Sequence, residues 1–274
     1  MEKYLNALKK VMEEGSMKPN RTGIDTKSLF GMQMRYNMKD GFPAVTTKKL
    51  IFNSVKAELL WFISGSRDIK ELHERNCHIW DANYEADYWK PRAEFEGDLG
   101  RVYGVQWRSF KSPYSDKPID QLKQAIDKIK NNPNSRRIIV SAWNPADLDK
   151  MALPPCHILY QFYVNNEKLS LQMYQRSCDM FLGVPFNIAS YSLLLHLVAQ
   201  VTDLEPYEFV HTMGDAHIYE NHFEQVKTQL EREPKPLPTL ELNPEIDDID
   251  DFEMDDIKLK NYKHHPHIKG EMAV

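Results

Sequence analysis

In Leu153-Pro154-Pro155-Cys156-His157 a cysteine follows two prolines, and it is the residue of this chain best placed to do covalent chemistry. Proline locks φ, so the backbone ahead of the thiol is stiff, which suits a nucleophile that must meet its target in one geometry. Cysteine attacks as its thiolate, and neighbouring cations favour that form. The available cations are Arg136-Arg137, ahead of one predicted strand, and Arg176 in Gln175-Arg176-Ser177-Cys178-Asp179. A guanidinium keeps its charge and binds phosphate with two parallel hydrogen bonds. Plainer readings compete: a lone cysteine is usually a packing residue, and paired arginines usually face solvent in ion pairs. Spacing alone does not choose between them.

Three further positions invite chemistry. Glu58 interrupts the apolar stretch Ala57-Glu58-Leu59-Leu60-Trp61-Phe62, where a carboxylate must find partners or accept a raised pKa that suits proton transfer; the alternative is a glutamate pointing to water. His217 and Tyr219, in Gly214-Asp215-Ala216-His217-Ile218-Tyr219, alternate on one strand-like face and could donate to a single ligand. Asn187, between Phe186 and Ile188, could cap an apolar helix, yet its amide offers a donor and an acceptor, which matches a uracil edge.

The elements that must position these groups are legible in the pattern. Leu5, Leu8, Val11 and Met12 recur at helical spacing over residues 2–15, and Gly15 stops the helix. Asn20-Arg21-Thr22-Gly23 reads as a turn, and Phe30, Met32, Met34 and Tyr36 alternate as in a strand. A helix is predicted over 53–63. Residues 77–113 lack clean periodicity, are rich in Trp, Tyr and Glu, and read as a functional loop. Ile119, Leu122, Ile126 and Ile129 mark a second amphipathic helix, ended at Asn131-Asn132-Pro133. Strands follow at 138–143, 158–164 and 169–174, the last two joined as a hairpin by Asn165-Asn166. Residues 187–201 form an apolar helix that needs cover on nearly every side, and 219–233 a surface helix closed by prolines. The acidic run 245–256 is read as a solvated face.

With 274 residues, 42% hydrophobic and 27% charged, the chain can bury a substantial core and is too polar to be fibrous or membrane-embedded. The formal net charge of -5 speaks against a nucleic-acid coat, which needs a basic excess, so no DNA partner is expected. No signal-like N-terminal run and no long uncharged apolar segment are present, so a cytoplasmic protein without a membrane partner is expected. Cys77, Cys156 and Cys178 are an odd number, which fits reduced thiols, and their spacing suggests no metal site. The mixture of helices and strand hairpins indicates an α+β class.

Three segments, Met151-Ala152-Leu153-Pro154-Pro155-Cys156-His157, Tyr174-Gln175-Arg176-Ser177-Cys178-Asp179 and Gly183-Val184-Pro185-Phe186-Asn187-Ile188-Ala189-Ser190-Tyr191, resemble the thymidylate synthase family in order and spacing. The resemblance runs from Asn20 to Val274. It implies one catalytic domain over 1–274 and a mixed β-sheet covered by helices, with the sheets of two subunits back to back in a homodimer. It also implies reductive methylation of dUMP to dTMP with 5,10-methylenetetrahydrofolate as co-substrate and no metal. Cys156 would add to C6 of the pyrimidine. Arg21, Arg176 and Ser177 would hold the phosphate, with Arg136 and Arg137 reaching in from the other subunit. Asn187 would read O4 and N3, His217 and Tyr219 the ribose 3'-hydroxyl, and Gln175 and Asp179 also belong to the dUMP site. Glu58 would relay protons, and Tyr103, in Gly100-Arg101-Val102-Tyr103-Gly104, belongs to the loop that removes the C5 proton. The folate would lie along Ile51, Ile79, Trp80, Asn83, Leu153, Leu182, Gly183 and Phe186, with Asp179 bonding its pterin and Ala273-Val274 closing over it.

Several positions depart from common members of that family: Arg101 stands where many have Pro, Ile51 where some have His, Asn53 where a basic residue is frequent, and Lys263-His264 where Asp-Pro is common. Arg101 is expected to face solvent. A dUMP hydroxymethylase, adding water to the same intermediate, would share nearly all these residues; Trp80 and Met272-Ala273-Val274 favour excluding water instead. A silent nucleotide- or RNA-binding homologue would not need Cys156, and binding of the chain's own messenger RNA is not readable from the residues.

Overall fold

The computed structural model describes residues 1–20 and 23–271; Arg21, Thr22, Met272, Ala273 and Val274 lie outside the described residues. Eight helices are described, α1 (Glu2–Glu14), α2 (Phe52–Ser64), α3 (Lys70–Glu74), α4 (Asp81–Tyr84), α5 (Tyr103–Arg108), α6 (Gln121–Asn131), α7 (Gly183–Val201) and α8 (Phe223–Leu230). Ten strands accompany them, β1 (Ser16–Lys18), β2 (Thr26–Asn37), β3 (Phe110–Ser112), β4 (Ser115–Ile119), β5 (Ile139–Ser141), β6 (His157–Asn165), β7 (Lys168–Asp179), β8 (Glu205–Tyr219), β9 (Thr239–Leu242) and β10 (Ile257–Lys260).

The main sheet has six strands in the order β1-β2-β8-β7-β6-β5. All its neighbours are antiparallel except β7 and β8, which run parallel, so the fold is α+β with a mixed sheet. Parallel neighbours need a long crossover, and α7 supplies it, packing on β7 and β8 and against α2. That position explains why α7 is apolar on nearly every side: Leu193, Leu194, Leu195, Leu197 and Val198 are wholly buried. It is long and apolar enough to cross a membrane, yet 78% of its apolar window is buried inside the protein, as in a core helix. α1 buries Tyr4, Leu5, Leu8 and Val11, and Tyr4 donates its hydroxyl to the carbonyl of Met180 at 2.8 Å.

Four sequence expectations are corrected. Residues 77–113 contain α4, α5 and β3, each too short to show a period. The helix expected over 219–233 begins only at Phe223, because β8 continues through Tyr219. α7 starts at Gly183, so Asn187 lies one turn inside it and does not cap it. Arg101 is buried, 8% exposed, where a solvent-facing side chain is expected, because its guanidinium pairs with Asp147 at 2.6 Å.

Candidate active site

Where β6 begins and β7 and β8 end, the sheet opens into a cavity of about 930 Å³. The parallel register sets Ser177 beside Asp215 and Asp179 beside His217, and the β6–β7 register sets His157 beside Gln175. Chemistry carried on three separate strands is thereby gathered at one end of the sheet.

Cys156 is half-buried in the cavity wall just before β6. Its backbone carbonyl accepts from the amide of Arg176 at 2.8 Å. The Arg176 side chain then turns back on the prolines: Nε donates to the Pro155 carbonyl at 2.7 Å and a terminal nitrogen to the Pro154 carbonyl at 3.0 Å. Its guanidinium also lies 5.4 Å from the Trp143 ring centre. The pair Pro154-Pro155 thus does two things, stiffening the approach to Cys156 and anchoring a permanent cation in the same wall.

α5 brings Tyr103 to Cys156, whose backbone amide donates to the phenol oxygen at 2.8 Å. Gly104 permits the approach, because a Cβ there would stand 2.3 Å from the carbonyl oxygen of Phe62 on α2. The Tyr103 ring stacks on His157 at 4.1 Å and lies 4.9 Å from Phe62. Burial drives the Tyr103 phenol well above the usual tyrosine range, so it stays protonated. Burial likewise lowers His157 to about 3, with His211 a smaller contribution, and its Nδ1 meets the Tyr191 hydroxyl at 2.6 Å. His157 is therefore a neutral packing and hydrogen-bonding group.

Glu58 does not point to bulk water; it reaches from α2 into the cavity. Burial raises its carboxyl to about 7, and the hydrogen bond from Trp80 Nε1, 2.8 Å from Oε1, only partly opposes this. Such a carboxyl exchanges protons near neutrality.

On α7, Asn187 faces the cavity with its amide oriented by a chain of buried polar groups. Gln175 Nε2 donates to Asn187 Oδ1 and to the Ser177 carbonyl, both at 3.0 Å, while His211 Nε2 meets Gln175 Oε1 at 2.9 Å. Asp179 caps the turn into α7, its Oδ1 accepting from the amides of Phe181 and Leu182 at 3.0 Å. On β8, His217 Nδ1 lies 3.4 Å from Asp215, which Lys18 also reaches at 2.9 Å. The contact with His217 is the largest influence on Asp215, ahead of opposing burial and of Lys18, and holds its carboxyl down at about 2.

Of the sequence candidates, Glu58, Ile79, Trp80, Asn83, Tyr103, Leu153, Cys156, Gln175, Arg176, Ser177, Asp179, Leu182, Gly183, Phe186, Asn187, His217 and Tyr219 all line this cavity. Ile51 does not, and stands 49% exposed at the start of α2. Arg136 and Arg137 are exposed and outside the cavity of their own chain. Arg21, Ala273 and Val274 lie outside the described residues. Lys18, His157, Asp215 and Tyr88 line the cavity without having been singled out as site residues. His157 and Asp215 were within reach, since each sits in a motif beside a candidate; Lys18 and Tyr88 carry no local signal. Outside the cavity, the ring nitrogens of exposed His73 and His78 lie 2.7 and 3.1 Å from Asp81, which brings three ligand-type atoms within 4.8 Å of one another.

A buried neutral phenol, a near-neutral carboxyl, a fixed cation and an oriented amide thus line one cavity together with a thiol. A family model described as thymidylate synthase matches residues 2–274.

Proposed function

Since the chain belongs to the thymidylate synthase family, we propose that it is a methyltransferase converting dUMP to dTMP through a covalent bond between Cys156 and C6 of the pyrimidine. The observation that carries this is the convergence of Cys156, Arg176, Tyr103, Glu58 and Asn187 on one cavity.

Cys156 attacks C6 as a thiolate, and the electron pair displaced from the C5–C6 bond makes C5 nucleophilic. Asn187 orients the ring. With one lone pair of Oδ1 engaged by Gln175 at 3.0 Å, Oδ1 still accepts from N3–H while Nδ2 donates to O4, a pairing that uracil meets and cytosine does not. Arg176 and Ser177, with Arg21 and the partner-derived Arg136 and Arg137, hold the phosphate; Asp179, His217 and Tyr219 complete the nucleotide site. Glu58 delivers protons to the pyrimidine through water, and Tyr103 stands where the C5 proton departs.

The cavity also suits a second, flat molecule. Its volume of about 930 Å³ exceeds what one nucleotide needs, and Ile79, Trp80, Leu153, Leu182 and Phe186 give it an apolar wall. 5,10-Methylenetetrahydrofolate bound there supplies the one-carbon unit and the hydride and leaves as dihydrofolate. Asn83, Gly183 and Asp179 complete that subsite, with Ala273 and Val274 closing it. Trp80 is only 4% exposed, which favours exclusion of water and hence hydride over hydroxyl addition.

We extend the reading to one catalytic domain over 1–274, working in the cytoplasm as a homodimer with sheets back to back. One continuous hydrophobic core supports the first part. Apolar side chains left exposed on strands of the main sheet, Met17, Phe30, Ile139 and Tyr163, support the dimer. The test is to mix the protein with dUMP and methylenetetrahydrofolate, follow dihydrofolate absorbance and weigh the nucleotide product, with Cys156→Ala as control. Dihydrofolate with dTMP, absent in the control, supports the proposal. 5-Hydroxymethyl-dUMP with tetrahydrofolate would replace it by the hydroxymethylase, and no Cys156-dependent turnover would replace it by a nucleotide- or RNA-binding role.

A further inference from the structure

Arg101 has no place in the chemistry above, yet its guanidinium is buried and paired with a buried carboxylate. It lies two residues before Tyr103 and is 8% exposed; its partner Asp147 is 3% exposed. Arg101 Nε donates to Asp147 Oδ2 at 2.6 Å, and a terminal nitrogen donates to the Ser109 carbonyl at 2.7 Å, at the far end of α5. Gln106, also on α5, gives its amide to both the Arg101 carbonyl (3.0 Å) and Asp147 Oδ2 (3.1 Å). Asn144 reaches the same oxygen at 3.2 Å, and Lys150 takes the other at 3.2 Å. Burial alone would push the Asp147 carboxyl up; hydrogen bonds from Arg101, Gln106 and Lys150 outweigh it and keep the carboxyl below the usual range.

The backbone joins the same two segments. The Arg101 amide donates to the Lys150 carbonyl at 2.8 Å and the Ala152 amide to the Leu99 carbonyl at 3.0 Å. Between them Gly100, at φ +72°, comes so near that a Cβ would stand 2.2 Å from the Lys150 carbonyl oxygen. One segment leads in two residues to Tyr103, the other in four residues to Cys156. The Arg101 side chain spans α5 from end to end and fastens it to the run 144–152. A buried ion pair tolerates little slack, since separating its charges leaves each unsolvated.

We propose that Arg101 is a positioning residue: through its buried pair with Asp147 it sets the Tyr103 phenol against the Cys156 backbone. The proposal rests on the functional reading above for the step that Tyr103 serves, and not for the clamp itself.

The test compares Arg101→Met, Arg101→Lys and, in case Arg101→Met fails to fold, Asp147→Asn, each as the full chain. The first readout is hydrogen exchange at the Cys156 amide, which donates to the Tyr103 phenol oxygen at 2.8 Å and is protected by that bond. The second is the deuterium isotope effect with 5-deutero-dUMP. Loosening the clamp should raise amide exchange at Cys156 and lower kcat by about 10²-fold with little change in KM, as misplacement of a reacting group does. The isotope effect should grow as C5 proton removal becomes limiting, and Arg101→Lys should recover part of kcat. Unchanged Cys156 exchange and an unchanged isotope effect, even with lowered thermal stability, would overturn the proposal. A wild-type chain with no turnover of dUMP would overturn the functional reading, while Cys156 exchange would still decide the clamp.

Discussion

The backbone amide of Cys156 donates a hydrogen bond of 2.8 Å to the phenol oxygen of Tyr103, fifty-three positions earlier in the chain. The oxygen is an acceptor in this bond, so its own proton is left to donate elsewhere, and the main chain of the proposed nucleophile is held by the group proposed for the next chemical step. Tyr103→Phe removes the acceptor without changing the ring that stacks on His157. Cys156 should still add to C6, while release of the C5 proton should slow by about 10²-fold or more. Mass spectrometry of the quenched reaction should then find the nucleotide–folate adduct accumulating on Cys156; free dTMP forming at the wild-type rate would refute the assignment.

The position of Glu58 gives two pH predictions with one cause. If the protonated carboxyl delivers protons, turnover should fall as pH rises through about 7, and Glu58→Gln should lower the rate and remove that limb. Because the folded-state pKa is raised above the ordinary 4.5, the folded protein holds this proton more tightly than the unfolded chain. The corresponding stability is present in full below about 4.5 and is lost as pH rises towards and through about 7, on the order of 3 kcal/mol. Urea titrations of the wild type and Glu58→Gln at pH 5 and pH 8 would show it: the variant should gain relative stability at the higher pH.

Asn187→Asp tests how the base is read. An aspartate keeps the contact with Gln175 but offers only acceptors, which repel O4 and suit the exocyclic amine of cytosine. Turnover of dUMP should drop by about 10²-fold or more while dCMP becomes a substrate, since an unpaired buried polar group is a strong discriminator. Competition between the two nucleotides, with products weighed, measures the switch directly.

Gly104→Ala probes the packing behind the site. The added Cβ meets the Phe62 backbone, 2.3 Å from its oxygen and 2.7 Å from its Cα, and no flexible side chain can yield. The expected loss of stability is about 1–3 kcal/mol, as for other overpacked cores. A urea midpoint shift should come with slowed turnover, because α5 carries Tyr103.

Much of the fold was legible before any coordinates. The 3.6-residue spacing of α1 and α6, the alternation in β2 and the hairpin after β6 follow from local chemistry, and the structure has helices and strands there, although Ile119, read as helical, ends β4 and the hairpin turn is Asn166-Glu167, one residue later than expected. The apolar character of 187–201 announced a covered helix because an exposed one would be insoluble. What failed was of two kinds. Short elements such as α4 and α5 make barely a turn or two, too few for a period to register. The start of α7 at Gly183 follows a local turn capped by Asp179, and the start of α8 at Phe223 is set by a tertiary partner, the pairing of Tyr219 with Thr26.

The sequence by itself determined the inventory: a stiffly mounted thiol, arginines, an amide and a carboxyl within motifs whose order identifies the family, because covalent neighbours and spacing are fixed along the chain. Only the tertiary structure decided what these groups become. Burial, not residue type, moves Glu58 to about 7 and makes His157 a neutral base, since desolvation depends on every element packed around a side chain. Arg101 is the sharpest case. As a letter between Gly100 and Val102 it suggests a solvated surface, and only the approach of Asp147, forty-six positions later, makes it a buried bolt behind Tyr103.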